Sequence, residues 1–147
     1  MRIARDALDA VIDHANRCRP EECCGILLTA GDGTVDCVLP ALNEEGERPE
    51  SSYRLGRAAH IEAVRRECTG AARIVGYYHS HPAGPSRPSQ TDAARAVRDV
   101  TYVVVGLAED PPVPSGWRWT GEEFAGEPLE IMTHDNADPY QDARREC

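Results

Sequence analysis

The 147 residues carry a formal charge of −9, with 41% hydrophobic and 28% charged side chains, a balance that favours a folded core over disorder. An acid excess of this size argues against a nucleic-acid partner, because phosphate backbones are bound by clustered cations. No run approaches the roughly 20 apolar residues that cross a bilayer, and the charged opening Met1-Arg-Ile-Ala-Arg-Asp6 is unlike a secretory leader, so a cytoplasmic protein without a membrane partner is expected.

The length suits one domain, expected over residues 1–131, followed by a polar, flexible tail over 132–147. Along the chain, Ile3, Ala7, Ala10, Val11, Ala15 and Cys18 recur at helical spacing, which predicts a helix from about 3 to 18 that Pro20 stops. Cys23 to Thr29 and Thr34 to Leu39 flank the turn Gly31-Asp-Gly33 and read as a hairpin. Residues 43–52 read as a loop. A second helix fits from about Arg54 to Cys68, with Leu55, Ala58, Ile61, Val64 and Cys68 facing inward.

Arg73 to His81, rich in β-branched and aromatic residues, predicts a central strand, and the prolines of 82–88 exclude regular structure after it. A third helix is expected to begin at Ser89. Thr101 to Leu107 reads as a buried strand, and Gly116–Thr120 and Glu123–Ile131 as two more after a proline-rich turn at 111–114. The order is that of a mixed α/β (α+β) fold, a central sheet flanked by helices.

Two histidines two residues apart on a strand, His79 and His81, leave the same face and can converge on one ion. Asp92, in the first turn of the next helix, offers a third, oxygen ligand. Two imidazoles and a carboxylate leave a fourth tetrahedral position for water, the mark of a catalytic zinc site, where a bound water ionises near pH ~7. A carboxylate close by is needed to move protons, and Glu22, at the start of a predicted strand, is the candidate. His14, His60 and His134 are read as structural or surface residues, and most of the six cysteines, which include no Cys-x-x-Cys pair, as buried thiols. Trp117 and Trp119 are read as packing or surface aromatics.

The string His79-Ser-His81-Pro82, then Ser89-Gln-Thr-Asp92, resembles the motif of the JAMM (MPN+) metallopeptidases, and Pro20-Glu-Glu22-Cys-Cys-Gly25 resembles that family's glutamate segment. The resemblance implies a JAMM/MPN-like sheet and a Zn2+ ion held by His79, His81 and Asp92. It implies Glu22 as general base and then acid, and Ser89 steadying the oxyanion. It further implies hydrolysis of the amide bond after the Gly-Gly tail of a ubiquitin-like or sulfur-carrier protein. The short 43–52 loop favours the sulfur-carrier branch. Ser89-x-x-Asp92 also reads as a helix-capping box, and both roles can coexist. The competing expectation is a non-catalytic scaffold of the same fold that binds partner proteins. A zinc nucleobase deaminase is disfavoured because its His-x-Glu and Pro-Cys-x-x-Cys elements are missing.

Overall fold

The computed structural model describes residues 1–133; the expectations for His134, Cys147 and most of the 132–147 tail lie outside the described residues. Its chain order is β1 (Arg2–Ala4), α1 (Arg5–Cys18), β2 (Cys24–Thr29), β3 (Cys37–Ala41), α2 (Arg57–Cys68), β4 (Arg73–His81), α3 (Gln90–Arg95), β5 (Thr101–Gly106), β6 (Val113–Trp119), β7 (Phe124–Gly126) and β8 (Glu130–Met132). Six strands form one mixed sheet in the order β3-β2-β4-β5-β6-β7, and β1 pairs with β8 in a separate two-stranded ladder.

Alternation of side chains divides the core between the two sheet faces. Leu27, Tyr78, Val103 and Val105 point toward α1, where Leu8, Val11 and Ala15 meet them. Ile26 and Leu28 point the other way, toward Ala63 of α2. The strand β5, Thr-Tyr-Val-Val-Val-Gly, is nearly wholly buried, as expected of a β-branched run covered on both faces. Among the described residues no helix is long and apolar enough to cross a membrane.

Several expected boundaries shift. The first helix starts at Arg5, because Ile3 is drawn into β1, pairing with Ile131 and bridging to Val35. The second hairpin strand runs Cys37–Ala41 rather than Thr34–Leu39. The segment 123–131 is two strands in different sheets, and β6 starts at Val113 with Pro114 inside it.

The inward face of α2 differs from the one expected. Ile61 is 62% exposed and Val64 39%, whereas Ala63 is fully buried with Ala59 packed beside it. The inward stripe is Ala59, Glu62, Ala63 and Arg66, about one residue out of phase with the expected one. Alanine lets the helix lie close against β2 and β3, and close approach decides the rotation over side-chain apolarity.

Among the described residues the free cysteines are Cys23 and Cys24, both buried, Cys18, half-buried, and Cys68, exposed. Trp117 is a packing residue, donating from its indole nitrogen to the Ser86 carbonyl at 2.8 Å, and Trp119 lies 4.8 Å from Phe124 between ring centres.

Candidate metal centre

The site lies at the carboxyl end of β4. In β4 the residues alternate: Tyr78 and Ser80 turn toward α1, and Tyr77, His79 and His81 turn toward α2. Ser80 then serves the sheet, its hydroxyl accepting from the Cys23 amide at 2.9 Å while its own amide donates to the Cys23 carbonyl at 3.1 Å. With Cys24 opposite His79 in the β2–β4 register, these bonds bring Glu22 alongside the histidines. Glu21 is exposed and Glu22 only 4% exposed.

The close approach of β2 to β4 also explains Gly25. A methyl group there would stand 2.3 Å from the Tyr78 ring, whose hydroxyl meets Nδ1 of His14 at 2.8 Å. His14 is thus a structural histidine. His60 is exposed on α2.

The ligand atoms of His79, His81 and Asp92 all lie within 4.8 Å of one another. The two Nε2 atoms are 3.2 Å apart, His79 Nε2 is 3.3 Å from Asp92 Oδ1, and His81 Nε2 is 3.3 Å from Asp92 Oδ2. Ligands held 2.0–2.1 Å from zinc at the corners of a tetrahedron stand roughly 3.3 Å apart. The three side chains therefore fit a tetrahedral ion.

Asp92 reaches its place through the third helix. Ser89 caps α3: its hydroxyl accepts from the Asp92 amide at 3.2 Å, and Asp92 Oδ2 accepts from the Ser89 amide at 2.6 Å and from the Ser89 hydroxyl at 2.7 Å. This is the capping box expected from Ser89-x-x-Asp92, and it commits the serine hydroxyl to Asp92. Burial alone would resist ionisation of Asp92, but hydrogen bonds from His79 and His81, with that of Ser89, hold its carboxyl well below the usual range.

The two imidazoles differ. Burial lowers the His79 pKa against the opposing pull of Asp92. His81, burdened by burial as well, is nevertheless raised by Asp92 and by the Pro85 carbonyl 2.9 Å from its Nδ1. That carbonyl is held in place because the 82–88 loop lies directly on Gly106, where a Cβ would meet the Ser86 amide nitrogen at 2.4 Å.

Glu22 Oε2 is buried with no hydrogen-bond partner among the described residues. Burial, aided by Asp92 and opposed by His81 and Arg95, lifts its pKa to about 7. A carboxyl in this state can take and give a proton near neutrality.

Residues 4–120 match the family of prokaryotic homologues of the JAB domain. The chain belongs to the prokaryotic JAB family. This JAB domain is 32% identical over 127 residues to the desampylase of Haloferax volcanii, covering 83% of this chain and 89% of that protein. It is 31% identical over 110 residues to the CysO-cysteine peptidase of Mycobacterium tuberculosis, covering 74% of each chain. A solved protein from Desulfitobacterium hafniense superposes with a TM-score of 0.79 at 26% identity, over 95% of this chain and 97% of that one.

Three residues beside the JAB-domain site have no counterpart in the sequence reading. Asn43 donates through Nδ2 to the carbonyls of Glu22 at 3.2 Å and Ser52 at 3.1 Å, and its Oδ1 accepts from the amides of Glu45 at 2.9 Å and Arg54 at 3.0 Å. It ties the 43–55 loop to the backbone of Glu22. Tyr53, in that loop, stacks on His79 with ring centres 4.7 Å apart. Arg95, in the last turn of α3, donates to the Ser52 hydroxyl at 3.1 Å and the Tyr53 carbonyl at 2.5 Å. A cavity of about 430 Å³ opens beside the cluster, walled by Tyr53, Tyr77, Asp92, Val97, Tyr102 and Phe124.

Proposed function

We propose that the chain is a zinc peptidase that hydrolyses the amide bond after the Gly-Gly tail of a small ubiquitin-like or sulfur-carrier protein, acting in the cytoplasm. The reading rests on one observation: two imidazole nitrogens and the two oxygens of Asp92 at spacings of 3.2–3.3 Å beside Glu22, whose Oε2 is buried with no hydrogen-bond partner among the described residues. The kinship to a desampylase and a CysO-cysteine peptidase supports the substrate class.

His79, His81 and Asp92 would hold the ion. Bound there, zinc supplies an acidified water and a Lewis acid for the scissile carbonyl. Glu22 takes a proton on its free carboxylate oxygen and returns it to the departing amine, so that water and amide become acid and amine. Its pKa of about 7 suits both transfers. Ser89, at the rim of the site, steadies the oxyanion in this reading when its hydroxyl proton turns from Asp92 Oδ2 to the developing charge, while its oxygen still accepts from the Asp92 amide. The 43–55 loop, pinned by Asn43 and Arg95, lines with Tyr53, Arg54 and Leu55 one side of the adjacent cavity, which would receive an extended tail.

The test is direct. A Gly-Gly-ended carrier bearing a C-terminal cysteine or dipeptide is incubated with zinc-loaded protein, and the products are weighed by mass spectrometry. Release of the extension, its loss after chelation and its return with added zinc are expected. Intact carrier with the zinc-loaded protein, or cleavage that survives complete metal removal, overturns the reading.

A further inference from the structure

Metal-bound histidines are usually aligned by a hydrogen bond from the ring nitrogen that does not face the metal. His81 has such a bond, its Nδ1 lying 2.9 Å from the Pro85 carbonyl. His79 does not: its Nδ1 is buried and has no hydrogen-bond partner among the described residues, although its side chain is only 1% exposed. What lies against its ring instead is Tyr53, at 4.7 Å between centres and 26° from parallel.

We propose that Tyr53 is a positioning residue for His79, fixing by ring stacking the imidazole that His81 has fixed by a hydrogen bond, and that Arg95 locks Tyr53 in place. This rests on the cluster being a metal centre.

The connectivity favours this role. Tyr53 sits in a loop rather than in a strand or helix, so its placement needs an external hold. Arg95 supplies that hold through the Ser52 hydroxyl and the Tyr53 carbonyl, while its other nitrogen lies 3.4 Å from Glu45 Oε2. Arg95 stands three residues after Asp92, on the same short helix. One helix thus presents a ligand with its first turn and, with its last, clamps the residue that orients another ligand. A ring face offers the imidazole contact over its whole area and needs no partner at Nδ1, the nitrogen that carries the proton when Nε2 faces an ion.

The experiment measures zinc dissociation constants by competition with a chromophoric chelator, together with the unfolding midpoint of each metal-free protein. Tyr53→Phe keeps the stack and is expected to bind zinc within about twofold of wild type. Tyr53→Leu keeps the bulk but loses the ring, and its affinity is expected to fall roughly 10–100-fold. Arg95→Ala is expected to weaken binding in the same direction, with Arg95→Lys recovering part of it.

Zinc binding by Tyr53→Leu as tight as wild type overturns the proposal. So does equal weakening in Tyr53→Phe and Tyr53→Leu, which would place the effect in the hydroxyl. A fall in affinity matched by an equal fall in the metal-free midpoint of Tyr53→Leu, with Arg95→Ala unaffected, marks Tyr53 as general packing and also overturns it. Wild-type protein that binds no zinc defeats the metal reading itself, an outcome distinct from the others.

Discussion

Asp92 Oδ2 accepts from the Ser89 amide at 2.6 Å and the Ser89 hydroxyl at 2.7 Å while lying 3.3 Å from Nε2 of His81. One carboxylate oxygen closes the start of a helix and faces the imidazole of His81. The N-terminal end of a helix favours negative charge, so the same ionised state serves both tasks.

Ser89→Ala is therefore expected to cost stability and metal affinity together. Loss of a serine cap amounts to about 1 kcal/mol, measurable as a shift in the urea midpoint. Zinc binding should weaken alongside it, because Asp92 loses a donor that holds it in place. Unchanged midpoint and unchanged affinity would contradict the shared role.

Glu22→Gln preserves shape while removing the proton carrier. Cleavage of a carrier with a C-terminal extension is expected to fall roughly 10²–10⁴-fold in kcat/KM, with zinc content the same as wild type by elemental analysis. Activity near wild type would remove Glu22 from the mechanism.

The raised pKa of Glu22 carries a pH signature in the metal-free protein. Its carboxyl titrates near 4.5 in an unfolded chain and at about 7 when folded, so across that window the folded state holds a proton that the unfolded state has released. Folding stability from this group is present in full below pH 4.5, declines as the pH rises and is gone above 7. Urea unfolding of metal-free wild type and Glu22→Gln over this range should show wild type losing stability relative to the variant between those limits and running parallel to it above them. A constant difference from pH 4 to 8 would contradict the raised value.

Gly25→Ala places a methyl group against the Tyr78 ring at 2.3 Å. Overpacking of this kind costs about 1–3 kcal/mol or more. Because Gly25 and Tyr78 face each other across β2 and β4, strain there also displaces Glu22. Thermal unfolding should report the loss of stability, and cleavage assays a fall in kcat exceeding that of a surface substitution such as Arg98→Ala.

The strand β4 was legible from sequence to the residue, as was the placement of His79 and His81 on one face, because a period of two is insensitive to everything but register. Ser89 and Asp92 were legible for the same kind of reason: a cap is a local pattern. The rotation of α2 was not. Its alanines carry little apolar signal, so Ile61 and Val64 dominate the periodicity although they face outward. Asn43, Tyr53 and Arg95 were invisible for a different reason. Each acts through contacts between segments far apart in sequence, such as Arg95 with Ser52 and Tyr53 with His79, and loop residues follow no spacing rule. An asparagine that makes its bonds to the backbone of Glu22, Glu45, Pro49, Ser52 and Arg54 looks in sequence like any other turn residue.

The three candidate ligands all fall within residues 79–92, whereas Glu22 arrives from another strand through the β2–β4 pairing. If the centre holds zinc, closing so short a loop costs little entropy, and a partly denatured chain then keeps some affinity for the ion through this segment. Metal stoichiometry in a purified batch then overstates the competent fraction, and titration of catalytic centres, rather than elemental content, is the measure by which preparations should be compared.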